Sequence, residues 1–251
     1  MKTIITECFA TIQGEYPAGV PSFFVRLGGC NLQCGWCDST FASYKVNESQ
    51  QSYIGDPSGA VNFVAKSFNS FKKAHPKSNI SNFTITGGEP LLPKNSLFLE
   101  ELFIAVKALG VSIAFETNGT QDPQYAYKLA NRIGVTVRFV VSPKLKSSNQ
   151  LTGASDSMRR EIPHSSWESI ASLVRFKFVV SRDTFTGDVE EIDRFRARFS
   201  DLSNIQPFLI MPEGIKFDGE WYKSIAEFCF KNGFDFCPRV HTILWGNERR
   251  R

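Results

Sequence analysis

The sequence predicts an α/β protein, an incomplete (β/α)6 barrel forming one domain over residues 1–251, with added elements at its N- and C-terminal ends. Three observations lead there. Short apolar segments alternate with helical patterns in six units, the rhythm of parallel strands joined by helical crossovers. Glycine-rich or polar stretches adjoin most of those segments, converging on the carboxyl end of the sheet, where α/β proteins hold their ligands. A length of 251 residues also suits one domain with a substantial core.

The first strand is expected at Phe23–Leu27 and runs into Gly28-Gly29-Cys30. A helical pattern around Gly59–Lys73 leads to a second strand, Asn82–Thr86, followed by Gly87-Gly88-Glu89-Pro90. The helix around Ser96–Leu109 precedes strand Val111–Glu116, which ends in Glu116-Thr117-Asn118-Gly119. Helix Pro123–Arg132 then leads to strand Thr136–Ser142, with Ser142-Pro143-Lys144 at its exit. Lys144–Trp167 is rich in Ser, Pro and charge, breaks the rhythm, and reads as a long loop with a short helix. Strand Val174–Ser181, helix Asp188–Phe199, strand Gln206–Ile210 and helix Glu220–Lys231 complete the pattern. Ala42–Pro57 carries no assignable pattern, and no repeat or linker calls for a second domain.

Composition narrows the class. Apolar residues make up 42% and charged residues 22%, which argues against disordered, collagen-like and membrane chains. The formal charge of +4 is small and dispersed, so no nucleic-acid surface is expected, whereas a small anionic substrate is compatible. No apolar run approaches the roughly 20 residues of a membrane helix. Met1-Lys2-Thr3 opens no apolar signal segment, so a cytoplasmic location is expected.

Three of the six cysteines fall in Cys30-Asn31-Leu32-Gln33-Cys34-Gly35-Trp36-Cys37. In a reducing compartment such a cluster binds metal or does chemistry more often than it forms disulfides. Iron–sulfur clusters that only carry electrons generally use four cysteines, so three thiolates leave one iron open to an outside ligand. A zinc site completed by His241 or Cys237 is the competing reading, but zinc ligands usually come as two separated pairs. Cys8, Cys229 and Cys237 read as buried thiols acting as small hydrophobes.

The triplet resembles the signature of the radical S-adenosylmethionine (SAM) superfamily. That resemblance implies a 4Fe-4S cluster on Cys30, Cys34 and Cys37 whose open iron is chelated by SAM. It implies SAM contacts at Thr86, Gly87, Gly88, Glu89, Glu116, Asn118, Ser142, Lys144 and Gln206, with backbone carbonyls and the Glu89 carboxylate receiving the methionine ammonium. More narrowly, Thr11-Ile12-Gln13-Gly14-Glu15, Phe24-Val25-Arg26, Cys37-Asp38-Ser39 and His241-Thr242-Ile243-Leu244-Trp245-Gly246-Asn247 resemble the 7-carboxy-7-deazaguanine synthase (QueE) family. This implies conversion of 6-carboxy-5,6,7,8-tetrahydropterin to 7-carboxy-7-deazaguanine with release of ammonia, by a magnesium-dependent homodimer.

Within that resemblance Ile12, Gln13, Gly14 and Glu15 read the pterin, Arg26 grips the substrate carboxylate, and His241 closes the site. A planar guanidinium suits bidentate capture of a carboxylate. Ser39 stands where many relatives have threonine and keeps the hydroxyl implied to help bind Mg2+. A flavodoxin-type or ferredoxin-type protein is expected as reductant. Lys177 alternates with Phe176 and Phe178, which would point it into the barrel, without a role; Arg249–Arg251 reads as a solvated end. The nearest alternative is an activating enzyme for a glycyl-radical protein, which shares the cysteine spacing. A non-catalytic metal-binding module is the alternative from another class.

Overall fold

The computed structural model describes residues 2–148, 163–199, 206–246 and 248–250. With β1 at Thr3–Ile12 and β3 at Tyr53–Gly55, their strands, numbered in chain order, form one nine-stranded sheet in the order β3-β1-β2-β4-β5-β6-β7-β8-β9. Strands β2 (Pro21–Leu27), β4 (Asn82–Gly87), β5 (Ser112–Thr117), β6 (Val137–Val141), β7 (Val174–Val180), β8 (Leu209–Pro212) and β9 (Asp235–Phe236) run parallel. The sheet stays open, with β3 and β9 at its edges, as an incomplete barrel requires. The first six of these parallel strands are the six expected from the sequence.

The α-helices of the described residues are α1 (Pro57–Ala74), α2 (Ser96–Leu109), α3 (Gln124–Ile133), α4 (His164–Glu168), α5 (Phe185–Arg198), α6 (Gly219–Asn232) and α7 (Val240–Trp245). Local chemistry sets their starts. The Asp56 carboxylate accepts from Gly59 N–H at 2.8 Å with Pro57 in the first turn of α1, so that helix begins two residues before its apolar pattern. Asp218 caps α6 in the same way through Trp221 N–H at 3.0 Å. Within Lys144–Trp167 the short helix is α4, while residues 149–162 lie outside the described part.

Phenylalanine dominates the core, 23 residues against 6 tyrosines. Phe115 stacks on Phe139 at 5.4 Å, and Phe139 meets the Trp167 edge at 5.5 Å. A second group joins Phe176, Phe178, Phe195, Phe199 and Phe208. These rings are packed in apolar surroundings, where a tyrosine hydroxyl would need a buried partner. Such aromatic pairs add roughly 0.5–1.5 kcal/mol each beyond the area they bury.

Three features depart from the sequence reading. Thr3–Ile12 is a ten-residue strand, β1, antiparallel to β2, and the unassigned Ala42–Pro57 region supplies its other neighbour, β3 (Tyr53–Gly55). A register shift between Ile5 and Glu7 breaks the alternation that would have marked β1. The sixth predicted strand starts at Leu209 rather than Gln206, because Pro207 has no N–H for a ladder. Finally, Arg249 and Arg250 are exposed, as a solvated end requires, but not free, since both reach the buried Glu7 carboxylate; Arg251 lies outside the described residues.

Candidate active site

Strand β2 ends at Leu27, and the next ten residues carry all three clustered cysteines into one cavity at the carboxyl ends of the strands. The loop is fixed from several sides. Trp36 Nε1 donates to Ser147 O at 2.9 Å, and Gly35 N to Ser148 O at 2.7 Å. Asn118, after β5, donates to Asn31 Oδ1 at 3.1 Å and approaches Cys30 Sγ at 3.8 Å. Leu32 N–H also donates to Cys30 Sγ, at 3.4 Å, and Ser43 Oγ lies 3.4 Å from Cys37 Sγ.

Hydrogen bonds to sulfur are a means of tuning iron–sulfur clusters, so this environment fits three thiolates holding one. Without a cation, burial pushes the Cys30 thiol up to about 11; a bound metal supplies the opposing charge. Among the described residues no three His, Cys, Asp or Glu side chains are grouped so as to hold a single ion. Burial likewise pushes Cys8, Cys229 and Cys237 each up to about 12, and these three lie outside the cysteine loop.

The glycine loop after β4 packs backbone to backbone against the cysteine loop. Glu89 N–H donates to Gly29 O at 2.9 Å, and Gly88 N–H to Leu27 O at 2.9 Å. Gly87 has φ +117°, and a Cβ at Gly88 would overlap the Gly29 carbonyl, so both positions require glycine. Thr86, Gly87 and Gly88 line the cavity, opposite Ser142 and Lys144. Lys144 Nζ sits 3.1 Å from Ser142 Oγ and 5.4 Å from the Trp36 ring centre. Asn118 also lines the cavity, which gives one concave wall of backbone amides and polar groups beside the cysteines.

Glu89 does not line this wall. It is fully buried, and its carboxylate accepts from Thr117 Oγ1 at 2.7 Å, Asn118 N at 2.8 Å and Leu91 N at 3.0 Å. Burial nonetheless raises its pKa. The carboxylate therefore acts as a strut between the β4 and β5 loops. Gln206 lies elsewhere: it accepts from Arg175 Nη1 at 3.1 Å at the amino ends of β7 and β8, opposite the mouth.

The turn between β1 and β2 reaches across the barrel interior. Gln13 Nε2 donates to Glu116 Oε1 at 3.0 Å, and Lys177, central in β7, pairs with Glu15. Arg239 lies 3.8 Å from Glu15 and also pairs with Asp38 beside the cysteine loop. Burial would raise the Glu15 pKa, but the cations Lys177 and Arg239 outweigh it and hold the carboxyl down at about 2. Glu116 moves the other way, raised by burial and by the charge on Glu15. His241 on α7 packs so closely on Gly14 that a Cβ there would meet its ring. Burial lowers its pKa, so the imidazole is neutral at pH 7.

Ile12, Gln13, Gly14, Glu15, Arg26, Ser39, Glu116 and His241 all line the same cavity as the cysteines. Among the described residues Arg26 bonds through Nε to Glu7 Oε2, at 3.2 Å, which leaves its two terminal amino groups for a ligand. The structure adds Lys177, Arg239, Glu7 and Arg249 to that lining. For Lys177 the signal was its alternation with two phenylalanines; for the others, partners distant in sequence left none.

An incomplete parallel barrel with a three-cysteine loop after its first parallel strand is the architecture of a radical SAM enzyme, and residues 24–175 match the family model described as "Radical SAM superfamily". A 7-carboxy-7-deazaguanine synthase of Pyrobaculum aerophilum is 34% identical over 98% of this chain and 96% of its own length. The enzymes of that name from Rhodopirellula baltica and Halobacterium salinarum are 28% and 29% identical, over 98% and 97% of this chain and 88% and 90% of their own lengths. The crystal structure of QueE from Escherichia coli covers 96% of this chain and 95% of its own with a TM-score of 0.63; at 21% identity, that likeness supports the fold. The chain belongs to the radical SAM superfamily and, within it, to the 7-carboxy-7-deazaguanine synthase family.

Proposed function

We propose that this protein is a 7-carboxy-7-deazaguanine synthase, a lyase converting 6-carboxy-5,6,7,8-tetrahydropterin to 7-carboxy-7-deazaguanine and ammonia. The observation that carries the reading is the joining, in one cavity, of the cysteine loop with Arg26, Gln13, Glu15 and Glu116. Substrate and product differ by one ammonia, so no external oxidant is consumed. When bound, the 4Fe-4S cluster and SAM would supply the chemistry of a 5′-deoxyadenosyl radical, hydrogen-atom removal. Cys30, Cys34 and Cys37 would hold the cluster, and Thr86–Gly88, Asn118, Ser142 and Lys144 would form the wall toward SAM.

The protein's own part is binding, orientation and exclusion of water. The free amino groups of Arg26 take the substrate carboxylate. Glu15, kept ionised by Lys177 and Arg239, accepts from ring N–H donors, and the Gln13 amide, held by Glu116, reads an adjacent edge. Neutral His241 covers the ring without adding a charge. The hairpin turn and α7 bond to each other through Val240 N to Gly14 O at 2.7 Å. Closure on that side suits a small acid better than the protein loop an activating enzyme must admit.

Alanine at Arg26 is expected to weaken substrate binding by roughly 10- to 150-fold, the effect of losing charge-assisted hydrogen bonds to a carboxylate. Lysine should recover only part, because an ammonium cannot form the fork. Cleavage of SAM should continue slowly without ring-contracted product, since orientation for hydrogen transfer needs contact at about 3–3.5 Å. Measuring 5′-deoxyadenosine and the deazaguanine acid together tests both the residue and the function. A reduced, cluster-loaded wild type that cleaves SAM with this substrate but forms no deazaguanine acid would refute the assignment.

Magnesium belongs to the same proposal. Ser39 lines the cavity with its Oγ 3.8 Å from Cys37 Sγ, and would offer a hard cation one oxygen ligand there. The Ser39→Ala enzyme should need more magnesium for equal turnover; overlapping titrations would rule the role out. The family resemblance supports a homodimer, a cytoplasmic location and a flavodoxin- or ferredoxin-type electron donor. No helix of the described residues is long and apolar enough to cross a membrane.

A further inference from the structure

Glu7 is a buried carboxylate shared by three arginines, and the sharing is uneven. Its Oε2 takes Arg26 Nε at 3.2 Å; its Oε1 takes Arg249 Nε at 2.9 Å and Nη2 at 2.6 Å, with Arg250 Nε at 3.5 Å. The Glu7 side chain is 1% exposed, Arg26 20% and Arg249 48%, so exposure rises from the wall of the cavity to its rim. Phe41 lies beneath both guanidinium groups, 3.9 Å from Arg249 and 5.8 Å from Arg26. All four of Glu7, Arg26, Phe41 and Arg249 line the cavity. Neither arginine is exhausted by Glu7, because Arg249 retains Nη1 and Arg26 both terminal amino groups.

We propose that Arg249 is a second binding residue for the substrate carboxylate, seated by Glu7 on Phe41 so that it and Arg26 grip one anion from two sides. The inference rests on the functional reading above, which supplies a small heterocyclic acid as ligand. A carboxylate offers about four lone-pair sites and so accepts two guanidinium donors at once. Glu7 acts as a positioning residue: one anion orients both donors and offsets part of their mutual repulsion. The aromatic floor adds cation–π attraction to both and, at 3.9 Å, keeps water from one face of the Arg249 guanidinium. Arg249, half-exposed in the free protein, would then be covered as the ligand enters.

The test is equilibrium binding to the cluster-loaded protein with SAM, read by pterin fluorescence, using pterin-6-carboxylic acid and unsubstituted pterin as probes. Wild type should prefer the acid. Arg249→Ala should lose about 10-fold for the acid, the lower end for a charged hydrogen bond at a half-exposed site, and leave pterin unchanged. Arg249→Lys should restore part of the preference. An acid-to-pterin ratio in Arg249→Ala equal to that of wild type, or an equal loss for both probes, overturns the role of Arg249 while the functional reading stands. A wild type that binds neither probe overturns that reading and this inference together.

Discussion

Alanine at Cys30, Cys34 or Cys37 is expected to abolish retention of a four-iron cluster, leaving near-baseline iron and sulfide after anaerobic reconstitution. The effect should be close to all-or-none. A cluster held by three protein thiolates, with its fourth iron left for a cofactor, has no spare ligand, and each cysteine occupies a fixed place on one short loop. Nearby oxygens on Ser39 and Ser43 are hydroxyls and do not replace a thiolate on iron. The complementary expectation concerns Cys8, Cys229 and Cys237, whose thiols burial pushes up to about 12 and which lie outside the loop. Alanine at those positions should leave the reduced cluster's electron paramagnetic resonance spectrum, and its change on adding SAM, intact. Stoichiometric zinc without iron in the wild type would overturn the assignment.

The sequence made the incomplete (β/α)6 barrel legible because its parallel strands are short apolar runs, several of them closed by Gly28-Gly29, Gly87-Gly88 or Asn118-Gly119. Those closures are also where the site lies, so fold and site were read from the same residues. Strand β1 was hidden by the shift between Ile5 and Glu7, which changes the facing of residues midway through the strand. Glu89 illustrates a different limit. Its motif brings it next to the cofactor wall, but nothing local reveals that Thr117, Asn118 and Leu91 already occupy the carboxylate. Arg249 was unreadable as part of the site because its partner Glu7 is 242 residues away, and composition alone makes a run of arginines look solvated. Lys177 lay between these cases: alternation with Phe176 and Phe178 indicated its direction, whereas its partner on the hairpin required the fold.

Lys177→Met is expected to destabilise the protein by about 3–5 kcal/mol at pH 7, the range for removing one partner of a buried ion pair. Lys177 is 7% exposed and Glu15 15%, so water cannot readily replace the lost ammonium. Among the described residues Arg239, at 3.8 Å and already paired with Asp38, would remain as the permanent cation beside Glu15, with His241 as a titratable neighbour and Glu116 as a second carboxyl in the same pocket. The pH dependence has a definite sign. Glu15 is depressed from 4.5 to about 2 in the folded wild type, so its ionised form contributes stability that is fully present above about pH 4.5. That contribution is lost as pH falls toward 2, and a shift of this size corresponds to about 3 kcal/mol. Without Lys177 the folded carboxyl titrates at higher pH, and its burial becomes a cost once it ionises. The gap between variant and wild type should therefore be widest above pH 4.5 and narrow steadily below it. Adding Glu15→Gln should recover part of the stability at pH 7, because the uncompensated charge is removed. Urea unfolding from pH 3 to 8 measures all three proteins. A Lys177→Met midpoint matching wild type at pH 7, or a gap that widens on acidification, would show that this pair does not hold the hairpin across the barrel.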